Sequence, residues 1–280
     1  MGLKFRLIFI IFILVAQIGY AQKSELGISA GASYYIGDLN NVHFKNSKLS
    51  LGLLYRYNIS DRVAFRVNFM YGKVEGADSE SDDPIKINRN LSFKSDIVEL
   101  GGMFEFNYYT YSPGDDRDYF TTYLLMGFSY FKMNPKAELG GLEYELNALG
   151  TEGQNFEGGP KIYKLDAFAL PVGFGAKVNI AKRLAIAFEY TFRFTFTDYL
   201  DDVSGVYYAN DEFVNSSGDL SIAGEFADRR IDPKAPTQDI NGNTLGLQRG
   251  NPGRMDWYGF AGIILSVRIG KEDNTCAKWN

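Results

Sequence analysis

Leu184-Ala185-Ile186-Ala187-Phe188-Glu189-Tyr190-Thr191-Phe192-Arg193-Phe194-Thr195-Phe196 decides the fold. Every second residue is large and apolar, and the residues between are small, hydroxylated or charged. On a strand, successive side chains point to opposite faces, so this stretch has one apolar face and one polar face. Wound as a helix, the same apolar residues would spread around the whole circumference and leave no face to bury.

The same period of two recurs along the chain. Leu49, Leu51, Leu53, Tyr55 and Tyr57 alternate with Ser50, Gly52, Leu54 and Arg56. Val63, Phe65, Val67, Phe69 and Tyr71 alternate with Arg62, Ala64, Arg66, Asn68 and Met70. Ala167 to Ile180 and Asp256 to Ile269 repeat the pattern, and Leu26–Ile36, Asp96–Tyr108 and Tyr119–Lys132 follow it less cleanly. That predicts eight strands, each long enough for the roughly 9–11 tilted residues of a bilayer crossing. The connections alternate in length. Asn58–Asp61, Tyr109–Asp118 and Ala181–Arg183 are short; Gly37–Ser47, Glu75–Phe93, Met133–Tyr163 and Asp198–Arg254 are longer. An all-β fold follows: an eight-stranded antiparallel up-and-down transmembrane β-barrel. Its short turns and both termini lie on the periplasmic side, and its long loops are extracellular.

The polar faces favour a barrel over a soluble sandwich. Side chains expected inside include Arg56, Arg66, Lys177, Arg193 and Arg268, with Glu25, Glu99, Glu105, Glu189 and Asp256, five of each sign. A dry sandwich core would have to desolvate them at several kcal/mol each. Eight strands enclose only enough room for side chains, so the lumen is expected to be a filled, paired plug. A solute porin is disfavoured for that reason. Outward Tyr34, Tyr55, Tyr57, Phe194, Phe196 and Trp257 fall near strand ends, where interfacial aromatics belong.

The start of the chain reads as an address. Lys4 and Arg6 precede an apolar run from Leu7 to Ala16, and small residues at Gly19 and Ala21 precede a cut before Gln22. Residues 1–21 are expected to be a signal peptide, 22–270 the barrel and 271–280 a periplasmic tail. Removing Lys4 and Arg6 from 29 basic and 34 acidic residues leaves 27 against 34, a balance that disfavours a nucleic-acid surface.

Catalytic chemistry finds little footing. His43, the only histidine, sits in the first long loop and reads as a solvated residue rather than the base of an outer-membrane hydrolase. No serine stands in a nucleophile elbow, and one histidine with one cysteine cannot make a zinc site. Asp239–Asn243 has part of a calcium-loop pattern without its terminal acid. Asp198, Asp201 and Asp202 read as a solvated loop start. No enzyme, cofactor or metal is expected. Cys276 is the only cysteine, so a disulfide through it would be intermolecular.

Tyr35-Ile36-Gly37-Asp38-Leu39-Asn40 closes the first strand. The loop Thr237–Arg254 leads into Met255-Asp256-Trp257-Tyr258-Gly259-Phe260-Ala261-Gly262 at the start of the last. With the Ala-Gln junction, these segments resemble the PorG-like outer-membrane barrels of the Bacteroidetes over nearly the whole chain after residue 21. The resemblance implies a non-enzymatic barrel of the type IX secretion system, which in some relatives also serves gliding motility. It implies association with a periplasmic ring lipoprotein and its partner, of the PorK and PorN type. On that reading the tail, with Lys271, Cys276 and Trp279, faces the ring. The alternative is a free-standing small barrel acting in adhesion or envelope stability.

Overall fold

The computed structural model describes residues 24–208, 213–215, 217–233 and 248–269. Ten strands form one sheet: β1 Ser24–Ile36, β2 Lys48–Asn58, β3 Val63–Ala77, β4 Ser92–Asn107, β5 Phe120–Lys132, β6 Pro135–Leu139, β7 Leu142–Glu145, β8 Asp166–Ala181, β9 Leu184–Thr195 and β10 Trp257–Ile269. Eight of them close on themselves. Each pairs antiparallel with its predecessor, β5 passes directly to β8, and β1 meets β10 from Ser24↔Ile269 to Ile36↔Trp257. The chain is a closed eight-stranded antiparallel barrel. β6 and β7 are a hairpin inserted in the β5–β8 connection and attached to the top of β4 at Lys94↔Lys136. Closure removes the unpaired edges that an open sheet of this length would carry.

Two elements differ from the expected boundaries. β3 and β4 stay paired as far as Ala77↔Ser92, well beyond Tyr71 and Asp96, so this hairpin stands above the rim. The β6–β7 hairpin occupies part of Met133–Tyr163, read from sequence as loop. In both places the alternation persists, but charged residues such as Lys73, Glu75, Lys94, Lys136 and Glu143 occupy the outward positions. The apolar residues there, such as Val74, Phe93 and Ala137, lie on the inward face, so the apolar side of the alternation reverses while the strand continues.

The burial pattern is inverted relative to a water-soluble protein. Outward side chains of the strands are apolar and open, with Leu49 69 % and Leu124 66 % exposed, while inward Arg56, Arg66, Glu99, Glu105 and Lys177 are buried. Outward apolar residues occur on all eight barrel strands and make a continuous belt. A contiguous apolar surface of that extent is far larger than soluble monomers expose.

The chain closes both mouths itself. At the turn end, Tyr111 and Pro113 of the connection between β4 and β5 are buried. The Tyr111 ring is buried, its hydroxyl donates to Asn179 Oδ1 at 2.7 Å, and Arg268 Nη1 donates to the Pro113 carbonyl at 2.7 Å. Gly114 makes the tight turn possible, with φ +79°; a Cβ there would lie 1.9 Å from the Lys182 carbonyl oxygen. At the loop end, Tyr35, Leu39, Phe93, Ile97, Phe131, Leu200, Phe226 and Tyr258 belong to one apolar cluster beneath the packed loops.

Candidate functional site

The site is the lumen and the loop cap that continues it. Inside the barrel, Glu105 from β4 is the hub. Its Oε1 accepts from Arg56 Nη2 at 3.0 Å and Arg66 Nη1 at 2.9 Å, and its Oε2 accepts from Lys177 Nζ at 2.9 Å. Arg66 also makes a forked contact to Glu189, at 2.6 and 2.8 Å, and Tyr123 donates to the same carboxylate at 2.9 Å. Arg56 reaches Glu25 at 3.0 Å, while Asn58 and Ser266 donate to Glu25 at 2.8 and 2.7 Å. Three cations thus meet three carboxylates. Nearer the loop end, Arg193 Nε meets Glu99 Oε2 at 3.1 Å, and Tyr258 and Ser129 donate to that carboxylate. Planar guanidinium forks suit carboxylates, and hydrogen bonds from Tyr123, Asn58, Ser266, Tyr258 and Ser129 add to these pairs, which favours tolerance of buried ions.

Of the ten charged residues expected to face inward, eight belong to these two networks: Glu25, Arg56, Arg66, Glu99, Glu105, Lys177, Glu189 and Arg193. Arg268 does not join them; it holds the turn-end plug through Pro113. Asp256 sits instead at the loop end, where its Oδ2 accepts from the Leu200 amide at 3.0 Å. A small cavity of about 20 Å³ lies beside Ser29, Asn68, Glu189 and Arg193, room for a single water. Lys271, Cys276, Trp279, residues 1–21 and Asp239–Asn243 lie outside the described residues.

The loops form a second polar network that periodicity could not reveal. Arg249 is its centre. Its guanidinium donates to Glu152 Oε1 at 3.0 Å, to the Asp202 carbonyl at 2.6 Å and to the Ala227 carbonyl at 3.2 Å. Glu152 Oε1 also accepts from the amides of Ser204 and Gly205 at 2.9 and 3.0 Å. Asp202 accepts from Tyr163 at 2.6 Å and Thr151 at 2.5 Å. Arg89 makes a two-pronged contact with Asp78, Nε and Nη2 both at 2.7 Å, while Nη1 donates to the Arg249 carbonyl and Nη2 also to that of Asp38. All four long connections are tied together by these contacts.

Asp198, Asp201 and Asp202, expected to be solvated, are instead buried in this cap. Asp201 and Asp256 both face the Tyr35 hydroxyl, Asp256 Oδ1 at 3.1 Å. Asp38 accepts from the Asn251 amide at 2.6 Å. Among the described residues, no salt bridge reaches Asp38, Asp198, Asp201 or Asp256. Burial accordingly pushes Asp198 up to about 7 and holds Asp201 and Asp256 well above the ordinary carboxylate range, their mutual repulsion adding to it. Burial also raises Asp202 to about 6, against the opposing pull of Arg249. No group of three or more His, Cys, Asp or Glu among the described residues has metal-holding geometry. His43 is not a free loop residue either: its Nδ1 lies 3.3 Å from the Tyr34 hydroxyl and 3.2 Å from that of Tyr190.

A closed eight-stranded barrel with an apolar exterior, an ion-paired interior and a folded loop cap is the class of protein that these features define. Residues 4–220 match the family model "Domain of unknown function (DUF6089)", and the chain belongs to that family. No curated protein matches it. Among solved structures it is similar to Ail, the attachment invasion locus protein of Yersinia pestis, at 12 % identity and a TM-score of 0.39, covering 87 % of this chain and 96 % of that one. Neisserial surface protein A is similar at 10 % identity and a TM-score of 0.39, covering 88 % and 97 %. A major outer membrane protein from Thermus thermophilus is similar at 11 % identity and a TM-score of 0.38, covering 87 % and 98 %. The barrel assignment rests on the strand pairing of this chain itself.

Proposed function

We propose that the protein is an outer-membrane barrel without catalytic activity and a subunit of the type IX protein secretion system. The observation that carries the membrane reading is the inside-out burial: an apolar belt on the outer wall around a lumen of paired charges. A closed barrel pairs the backbone of its wall from strand to strand with no open edge, as hydrocarbon requires. In this reading the turns and both termini are periplasmic and the four long connections extracellular. The secretion role is supported by the segments that resemble PorG-like barrels. Their residues Tyr35, Asp38 and Asp256 lie together under the cap, so the resemblance falls on packed structural positions.

The partners are outer-membrane lipid and a periplasmic ring lipoprotein with its companion of the PorK and PorN type, met by the turns and by the tail bearing Lys271, Cys276 and Trp279. Crosslinked pull-down of the full chain from outer membranes tests the assignment. Recovery of the ring lipoprotein supports it; recovery of the barrel alone favours a free-standing barrel in adhesion or envelope stability, a reading favoured by the ion-paired loop face. An intermolecular disulfide through Cys276 predicts a slower band on non-reducing gels that disappears in Cys276→Ser. Identical migration of the two would remove that contact.

A further inference from the structure

We propose that the tip of the first loop, Val42–Phe44, is a membrane anchor that lies on the outer wall of the barrel and dips into the headgroup–acyl boundary. The inference rests on the outer-membrane reading above. Its starting point is Tyr34. By alternation this residue points outward with Leu26 and Ile28, yet it is fully buried while they are more than half exposed. What covers it is the loop. The Phe44 ring lies 4.9 Å from that of Tyr34 and stacks on Tyr190 at 5.5 Å and 29°. His43 stands edge-on to Phe192 at 5.5 Å.

The wall is shaped to receive this tip. Gly259 of β10 pairs with Tyr34 on one side and Phe192 on the other, and Ala261 pairs with Ala32 and Tyr190. A Cβ at Gly259 would lie 2.3 Å from the Tyr34 ring, so the missing side chain lets that ring lie across β10. The Tyr34 and Tyr190 hydroxyls are 2.6 Å apart, and the His43 imidazole faces both. The two hydroxyls and His43 Nδ1 therefore serve as partners for one another on an apolar wall, which lowers the cost of placing them beside lipid. Phe44 holds φ +63°, a left-handed conformation unfavourable for a bulky residue, which its two ring contacts help to hold. The returning limb is fastened to the next loop by Lys45 at the Glu80 carbonyl and by Asn46 at the Glu80 carboxylate, 2.6 Å.

Lipid is the occupant that fits the remaining surface. Val42 and Phe44 keep 53 % and 52 % of their surface open, and they continue the apolar belt. Tyr34 is two residues inside the end of β1. At ~3.3 Å rise and ~40° tilt, this places the tip roughly 5 Å below the end of β1, level with Phe192 and Gly259 of the wall.

Tryptophan emission in lipid vesicles tests this. In the full chain carrying Trp257→Phe and Trp279→Phe, one reporter is Phe44→Trp, a second is Val42→Trp, and a belt control is Leu51→Trp. Vesicles contain phosphatidylcholine brominated either near the glycerol or near the chain end. The expected result is a blue-shifted emission from positions 42 and 44 that loses most of its intensity with the shallow bromines and less with the deep ones. Quenching at position 51 with water-like, unquenched emission at both 42 and 44 would overturn the anchor while leaving the barrel in its membrane. No quenching at position 51 would overturn the membrane reading and the anchor with it.

Discussion

In the turn-end part of the lumen, Glu25, Glu105 and Glu189 lie among Arg56, Arg66 and Lys177. Under the loops, Asp38, Asp198, Asp201 and Asp256 lie together with a single tyrosine hydroxyl between two of them. Both regions bury carboxylates. In the first, each carboxylate is met by a guanidinium or ammonium group, three acidic side chains against three basic ones. In the second, burial is met by retained protons, as the raised Asp198, Asp201 and Asp256 indicate. The two solutions locate the pH response of the molecule. The lumen has its charges balanced internally, whereas the cap trades protons with the medium near neutrality.

The largest effect is expected at the hub of the paired region. Glu105→Ala leaves Arg56, Arg66 and Lys177 without their shared acceptor. A loss of about 3–5 kcal/mol in urea unfolding of the folded barrel should follow, because an unpaired buried charge costs far more than a removed pair. An unchanged midpoint would mean that the lumen is wet enough to solvate the three cations.

Next in size is the clasp of the cap. Arg249→Met removes the charge on which Glu152 and Asp202 converge, and local opening should become easier by about 3 kcal/mol. Hydrogen exchange at the Ser204 and Gly205 amides, which donate to Glu152, should accelerate while the amides of β3 and β4 keep their protection. Equal acceleration in both would show that lumen and cap open as one unit.

The pH response separates the two regions further. Asp198 has a folded value of about 7 against an ordinary 3.8. A group raised on folding stabilises most below its unfolded value, and that stabilisation is lost as pH climbs through the folded one. Between pH 4 and 7 the cap should therefore open more readily as pH rises, by at most about tenfold per pH unit for one such group. Exchange at the Leu200 and Asn251 amides, corrected for intrinsic rates, should show this slope, and Asp198→Asn should flatten it. A wild-type slope that survives the substitution would assign the response to another carboxylate. The smallest effect is at the turn-end plug: Tyr111→Phe removes one hydrogen bond to Asn179 and should cost about 1 kcal/mol in the same urea titration.

The barrel wall was legible because one rule governs every strand. Period-two alternation assigned the inward Arg66, Glu105, Lys177, Glu189 and Arg193 without reference to any partner, since a strand offers only two directions. Which of them would pair was not legible. Glu105 meets Lys177 across the lumen from a position 72 residues away, a relation set by the closing register and invisible to local pattern. Arg268 shows the limit of the rule: its face was assigned, but it lies at the turn end beyond the networks and binds a carbonyl instead.

The loops obey no such rule. Asp198, Asp201 and Asp202 looked like a solvated run because an acidic cluster in a polar segment is usually one, and Arg249 and Glu152 stood in no pattern at all. Tyr34 was assigned to the outer wall and lies there, but only the fold of the first loop covers it with His43 and Phe44. The amino-acid order was thus enough for the closed wall, its two faces and the sign of the charges it encloses, because side-chain direction on a strand is local. The pairing of those charges, the burial of the acids and the covering of Tyr34 were settled only in three dimensions, because each requires segments far apart in the chain to meet at distances that no local periodicity encodes.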